Sequence, residues 1–357
     1  MKLQPNIFNR TSVRRLRLRT VTFIALLWTV VDIIVVLLYN SLPSKHTLNA
    51  LIVREVIVFA SSFIMGYLLV VELRRLLRNF NLLATLLLKS LILIAAAFLI
   101  NLFLYAINSV SVLGVPVAES FHRFYTDFSD IDKFLQKILY WLVLFLITQL
   151  LIELNEKYSP GVFVDILLGK YVNPKIEKRI VMFIDLKDST PIAEKLGSQQ
   201  YFRFIREFIY HISNALIEYN GKIYQYVGDE IVVSWLYKKE NPEKCILALR
   251  KARRNLTRRN NLFLKAFGVL PEFRVGVHVG EVTVGEIGVI KKDLAMSGDV
   301  MNTTARIRTC CGELNQKVVV SRDFVNEING EDWQAKSLGM VELKGKAKEM
   351  ELFSLNV

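Results

Sequence analysis

The sequence predicts two parts of different class: an all-α four-helix transmembrane domain, then an α+β ferredoxin-like domain. Three observations predict this. Hydrophobic residues make up 52% of the 357, and the excess lies in the first 155 positions. From Arg179 onward the pattern of strands and helices opens in β-α-β-β-α-β order, that of a ferredoxin-like sheet. Within it, YQYVGDEIVVSW (Tyr224 to Trp235) reads as a hairpin with Gly228-Asp229-Glu230 at its turn. Gly and Asp are ordinary turn residues, so the acids alone decide nothing.

Residues 1–19 form a cytoplasmic basic N-terminus, with Lys2, Arg10, Arg14, Arg15, Arg17 and Arg19 and no acid. The transmembrane domain spans 20–154. Its four apolar segments, roughly 20–40, 51–72, 83–108 and 134–154, each suffice for the ~20 residues that cross a bilayer. A cleaved signal peptide fits poorly, because the first run is too long and lacks a small-residue cleavage site. Arg74, Arg75 and Arg78 come after the second segment, whereas Glu119, Asp127, Asp130 and Asp132 dominate the third connection. The positive-inside rule then gives a multi-pass protein of the cell (inner) membrane, in contact with lipid, with both termini cytoplasmic. The three cysteines, Cys245, Cys310 and Cys311, agree with a reducing compartment, since an odd number with one adjacent pair is no disulfide framework. The net charge of +13 is scattered or flanks apolar runs; this fits inside-positive loops and a solvated surface, with no nucleic-acid partner.

Asp32 lies inside the first segment, where a charge is costly. It reads either as a ligand- or proton-sensing group or as a partner in helix pairing. Arg54 and Glu55, near the outer end of the second segment, and Lys89, near the inner end of the third, read equally as snorkelling side chains or as part of a ligand site. Residues 155–178 hold Pro160, Gly161 and Pro174 around a short apolar helix. This is a helical transducer linker, placed where motion of the spans must pass to the C-terminal half.

The second half, 179–357, divides into recognisable elements. RIVMFIDL is a buried strand, and SQQYFRFIREFIYHISNALIEYN is an amphipathic helix ending before Gly221. KIYQYV and EIVVSW are the hairpin arms, and NPEKCILALRKARRNLTRRNN is a helix opened by Asn241-Pro242. FRVGVHVGEVTVGEIG reads as strand, turn, strand, and the helices are expected on one face of the sheet. In such a sheet the first strand neighbours the hairpin. Asp185, at the end of that strand in FIDLKDST, then converges on Asp229. Two aspartates plus nucleotide phosphates suit Mg²⁺, which takes oxygen ligands and leaves part of its shell for substrate. Asp188-Ser189-Thr190 cap the next helix, whose N-terminal amides suit phosphate.

On these residues, 179–357 resembles a class III nucleotidyl (adenylate/guanylate) cyclase catalytic domain. FIDLKDST resembles its first metal motif and YVGDE its second. SGDVMNTTARI (Ser297 to Ile307) resembles its signature helix, and LKGK (Leu343 to Lys346) its late lysine motif. The resemblance implies a role for each. Asp185 and Asp229, with the carbonyl of Leu186, hold two Mg²⁺ (or Mn²⁺). Asn302 orients the ribose, and Arg306, four residues on and on the same helix face, stabilises charge on the reacting phosphate. Lys344, with Lys346 as fallback, binds the triphosphate, and Gly228 also lies at the substrate. The family's site lies between two domains, so a homodimer with two composite sites is implied, turning ATP, or GTP, into the 3′,5′-cyclic nucleotide and pyrophosphate.

Two positions depart from the family pattern. The base-reading lysine or glutamate, three residues before Gly228, is Gln225. Its usual Asp or Thr partner is Ala295. An amide both donates and accepts, so base choice stays open, with ATP favoured because adenylate cyclases are the commoner kind. A diguanylate cyclase is the rival enzyme, with its GGDEF hairpin. Val227 before Gly228, and the Asn-Arg helix, decide against it. A catalytically silent receptor that dimerises through a cyclase fold would have lost metal or transition-state residues, and none is lost. A transporter with a regulatory tail would show repeats or broken helices.

Overall fold

The computed structural model describes residues 11–39, 45–73, short runs and single residues between 84 and 166, and 168–357 apart from 291–292, 329–332 and 347. The chain divides into two compact units, one of Arg14–Lys157 and one that contains Tyr158–Val357.

In the first unit α1 (Thr11–Tyr39) and α2 (Lys45–Tyr67) are long helices, and α2 runs on into a π-helical stretch, Leu68–Leu73. α1 contains no Gly or Pro, and Pro43 falls between the two. Arg17–Leu37 and Leu51–Val70 are long and apolar enough to cross a membrane. Among the described residues these two, not four, meet that criterion. The expected third and fourth segments fall largely outside the described residues, although 143–150 is helical. Val21, Ile24 and Trp28 pack with Leu69, Val70, Leu144 and Phe145. The Trp28 indole N–H donates to Thr148 Oγ1 at 2.8 Å. Asp32 is buried and takes both prongs of the Arg54 guanidinium, at 2.7 and 3.0 Å. Of the two readings of Asp32, pairing between helices is the one seen, and Arg54 turns to that carboxylate rather than snorkelling.

In the second unit a mixed sheet runs β2-β3-β1-β4-β6-β8-β7, with β5 paired to β4. The strands are β1 (Lys175–Leu186), β2 (Lys222–Val227), β3 (Glu230–Leu236), β4 (Phe273–Ile287), β5 (Asp293–Ser297), β6 (Val318–Ser321), β7 (Lys336–Val341) and β8 (Met350–Ser354). The helices are α3 (Ser189–Glu218), α4 (Asn241–Thr257), α5 (Asn260–Phe267), α6 (Asp299–Glu313) and α7 (Arg322–Val325). The first four strands in chain order lie as β2-β3-β1-β4, all antiparallel, which is the ferredoxin-like arrangement expected. β1 begins directly after Pro174, so regular structure starts four residues before the anticipated boundary at 179.

Strand parity sorts β1 into two faces. Ile180, Met182 and Ile184 join the core beneath α3, α4 and α5 with Phe204, Phe208, Leu249 and Phe263. Val181 and Phe183 face the other way, towards Val300 of α6. The helices therefore cover both faces rather than one. A second correction concerns β4, one continuous strand of 15 residues rather than two around a turn. Gly280 is there for space. A Cβ on it would stand 2.6 Å from Val300 Cγ2, and one on Gly276 would stand 2.4 Å from the Arg308 nitrogen. These two glycines let α6 lie close against β4. The helix opened by Asn241-Pro242 ends at Thr257, and α5 forms a separate helix after it. α3 is kinked at Gly197 (φ 69°).

The segment before β1 is fastened by a buried cluster. Arg179 donates to Glu177 Oε2 at 2.9 and 2.6 Å and to Ser234 Oγ at 3.0 Å. Tyr171, also buried, donates to Glu177 Oε1 at 3.2 Å, and its carbonyl accepts from Glu286 N. Burial alone would raise the Glu177 carboxyl; the charge and hydrogen bonds of Arg179 outweigh it and hold the group below its ordinary range.

Candidate active site

β1 and β3 bring the two aspartates together. Their register pairs Phe183 with Val232 and Ile184 with Ile231. The next step along β1 sets Asp185 level with the hairpin end, where Asp229 and Glu230 stand. The turn needs Gly228, whose φ is +61° although nothing crowds its α-carbon. By parity Asp185 shares the face of Val181 and Phe183, the side covered by α6.

The electrostatics fit that convergence. Burial pushes the Asp185 carboxyl above its ordinary range and the adjacent Asp229 charge adds to this, while Arg308 and Arg274 oppose it. Glu230 is raised in the same way, first by burial, against the pull of Arg308. One oxygen of Asp229, Oδ2, is buried without a hydrogen-bond partner. A buried carboxylate oxygen left without a donor is costly, and a cation would satisfy it. Among the described residues no three His, Cys, Asp or Glu side chains gather as a metal cage. Two carboxylates are what Mg²⁺ takes from a protein when substrate phosphates supply further oxygens, so Asp185 and Asp229 fit that ion. Leu186 puts its side chain in the core, 1% exposed.

Asp188, Ser189 and Thr190 stand at the start of α3, but the capping expected of them is not seen. Asp188 is the N-cap in left-handed conformation (φ 56°) and makes no side-chain cap hydrogen bond. The Ser189 hydroxyl is engaged with Tyr201, whose phenol is raised first by burial and then by the Asp229 and Asp185 charges. Tyr201 thus belongs to the aspartate cluster, though sequence reading did not single it out.

α6 carries the remaining groups on different sides. Val300, Thr303, Thr304, Ile307, Cys310 and Cys311 are buried, the spacing of a face laid on the sheet. Asn302 is exposed and Arg306 half-buried. The Arg306 guanidinium lies against Gly345, with Nη2 3.3 Å from where a Cβ there would stand. Arg306 and the Leu343–Lys346 motif are therefore neighbours. Lys344 is exposed, whereas Lys346 is ion-paired with Asp299, which favours Lys344 for a triphosphate. Residues two apart on a helix point about 200° apart. Accordingly it is Arg308, not Arg306, that reaches the acidic end of its own β1 and hairpin, at 3.3 Å from Asp185 and 2.7 Å from Glu230. Arg308 was also missed in the sequence. Strand parity puts Asp185 on the face of Val181 and Phe183, but only the structure shows that the signature helix covers that face.

Gln225 and Ala295 are not shown in contact. Gln225 is exposed on β2 and Ala295 half-buried on β5. Their neighbours make the link, since Met296 N donates to the Tyr224 hydroxyl at 3.2 Å.

The family described as Adenylate and Guanylate cyclase catalytic domain matches residues 172–357. Adenylate cyclase 2 of Rhizobium meliloti (strain 1021) is 30% identical over 206 residues, which cover 57% of this chain and 57% of that protein. An adenylate cyclase of Anabaena cylindrica is 21% identical over 213 residues, covering 56% of this chain and 42% of the relative. The chain thus spans about half the length of these curated relatives. Among solved structures, that of a bacterial light-regulated adenylyl cyclase is similar with a TM-score of 0.54 at 20% identity, over 64% of this chain and 66% of that one. That likeness concerns the fold.

Proposed function

The chain belongs to the adenylate and guanylate cyclase catalytic domain family, and on that premise we propose that it is a membrane-anchored nucleotidyl cyclase. It converts ATP, and GTP less readily, to the 3′,5′-cyclic nucleotide and pyrophosphate at a site shared between two copies. The observation that carries this reading is the meeting of Asp185 and Asp229 at the end of β1 and the hairpin turn, with Asp229 Oδ2 buried and unpartnered.

In this reading the ribose 3′-oxygen forms a bond to the α-phosphorus as the bond to the pyrophosphate oxygen breaks, and the hydroxyl proton passes to solvent. Asp185, Asp229 and the Leu186 carbonyl hold two Mg²⁺ or Mn²⁺. When bound, these ions acidify the 3′-hydroxyl and neutralise charge on the phosphates. Asn302 orients the ribose. Arg306 meets the charge that builds on the α-phosphate. Lys344 binds the triphosphate, and the amides at the start of α3 face it beside Gly228. A homodimer is favoured because Arg308 occupies the side of α6 towards the aspartates while Arg306 lies against Gly345. A second copy has to bring Asn302, Arg306 and Lys344 to the first copy's aspartates.

Four membrane helices, multi-pass insertion in the cell membrane and cytoplasmic termini belong to the same proposal, supported by α1 and α2. The linker 155–178 then carries motion of those helices into β1. The test is incubation of the full-length protein with ATP or GTP and Mg²⁺ or Mn²⁺, with the product identified by mass. Cyclic nucleotide is expected from the parent and none from Asp185→Ala. No cyclic product from either nucleotide would sink the reading.

A further inference from the structure

Arg308 has no place in the cyclisation chemistry, yet its guanidinium lies among the acids that do. Nη1 is 3.3 Å from Asp185 Oδ2 and Nη2 is 2.7 Å from Glu230 Oε2, and the side chain is only 27% exposed. Its backbone leaves it little choice. The Arg308 nitrogen is where a Cβ on Gly276 would collide, so this turn of α6 is pressed onto β4 and the side chain leaves it towards the end of β1. Asp185 and Glu230 are both pushed up by burial and by neighbouring acidic charge, and Arg308 opposes that in both. Arg308 thus contacts two of the carboxylates gathered here, Asp185 and Glu230.

We propose that Arg308 is a positioning residue that serves as a built-in counter-ion of the carboxylate cluster, held by Glu230 and competing with divalent cation for Asp185. This rests on the reading of Asp185 and Asp229 as metal ligands. The physics is a contest between like charges for one carboxylate. A guanidinium at hydrogen-bond distance satisfies a carboxylate well, so a metal ion that takes Asp185 must displace that contact or share the oxygen against repulsion. Glu230 decides how strongly Arg308 competes, because it offers the guanidinium a second, shorter ionic contact, one that lacks hydrogen-bond geometry. The pair Glu230–Arg308 then sets the cation concentration at which the site fills, before any nucleotide arrives.

The experiment is a titration of Mn²⁺ into the full-length protein in detergent without nucleotide, with free Mn²⁺ read by electron paramagnetic resonance. Arg308→Gln is expected to bind Mn²⁺ about tenfold more tightly than the parent, as removal of a nearby like charge should give. Glu230→Gln is expected to bind more weakly, and most of that loss should vanish in the Arg308→Gln background, because the released guanidinium causes it. Arg308→Lys, which keeps the charge and loses the fork, should bind like the parent or slightly tighter, and guards against an Arg308→Gln chain that fails to fold. Unchanged or weaker Mn²⁺ binding in folded Arg308→Gln overturns the counter-ion role. So does a Glu230→Gln loss that persists in full without Arg308. A parent whose Mn²⁺ binding is absent, or is untouched by Asp185→Ala, overturns the metal-site reading and this inference with it.

Discussion

At the scale of single residues the base-reading position invites a measurement. Gln225 is exposed on β2, and the hydroxyl of its neighbour Tyr224 reaches β5 instead. A primary amide can present its donor or its acceptor to a base edge, and a site that does not commit its hydrogen bonds discriminates poorly. Both ATP and GTP should turn over, with ATP preferred. Gln225→Lys should sharpen that preference, because a cation favours the acceptor at adenine N1 and repels the donor face of guanine. The ratio of kcat/KM for the two nucleotides, in parent and variant, decides the matter. A parent ratio above about a thousandfold, some 4 kcal/mol, would mean that another contact reads the base.

His211 offers a second residue-scale outcome. It is buried in α3, with Nδ1 unpartnered and Nε2 3.9 Å from Glu207 Oε2. Burial, helped by the Arg259 charge, pulls its pKa down from 6.5 to about 4. The folded state thus refuses a proton that the unfolded chain accepts below pH 6.5. Its contribution is intact above pH 6.5 and is lost as pH falls from there towards 4, at up to about 1.4 kcal/mol per pH unit. Thermal unfolding between pH 7.5 and 4.5 should show this slope, and His211→Gln should flatten it. An equal slope in both proteins would assign the acid sensitivity elsewhere, His278 being also held low, chiefly by burial.

At the scale of elements, the legible features were local ones. Alternation and the Gly-Asp turn marked the hairpin, and a run of apolar residues marked β1, so the meeting of Asp185 and Asp229 could be expected from the amino acids alone. β4 was not legible. A glycine in a strand pattern normally punctuates it, and the glycine-bearing stretch FRVGVHVGEVTVGEIG, which includes Gly280, therefore reads as strand, turn, strand. Its purpose is tertiary, since it clears space for Val300, and no local rule carries that information. The same close approach hid Arg308, whose side chain can be placed only once α6 is known to lie on β4 beside the end of β1. Asp188 misled for a related reason. Asp before a helix is a standard cap, but its backbone here is left-handed and its side chain does not return to the helix.

This helix–strand contact makes its own prediction. An alanine at Gly276 meets the backbone of Arg308 and the carbonyl of Thr304, at 2.4 and 2.8 Å, rather than a flexible side-chain end. Neither can move without lifting α6. Gly276→Ala should therefore cost about 1–3 kcal/mol of stability, seen as a fall in Tm. It should also cut cyclase activity more than the loss of folded protein explains, because α6 carries Asn302 and Arg306. A variant with parental Tm and turnover would show that the helix can ride higher on the sheet at no cost.

At the scale of the whole molecule the question is why one chain holds a full set of groups yet does not bring them together. The aspartates belong to the β1–hairpin end and face Arg308. Arg306 faces Gly345, next to Lys344. Arg306 and Arg308, two positions apart, leave α6 in opposite directions, so Arg306 points away from its own Asp185. In the proposed homodimer a two-fold axis would present each chain's Arg306 side to the other's aspartates. The consequence is complementation. Asp185→Ala and Arg306→Ala should each be inactive alone as homodimers. Mixed in one cell, half of the dimers formed by random pairing are heterodimers, and each has one site with all its groups and one with two defects. Activity should return to about a quarter of the parent level, with the product identified as cyclic nucleotide. The control is Asp185→Ala co-expressed with Asp229→Ala, where both sites of the heterodimer keep a defect and activity should stay absent. Recovery in the control would show that Asp185 and Asp229 of one chain do not serve the same site, and failure of the test pair, despite heterodimers isolated by two tags, would show that the groups of one chain act on a substrate of their own.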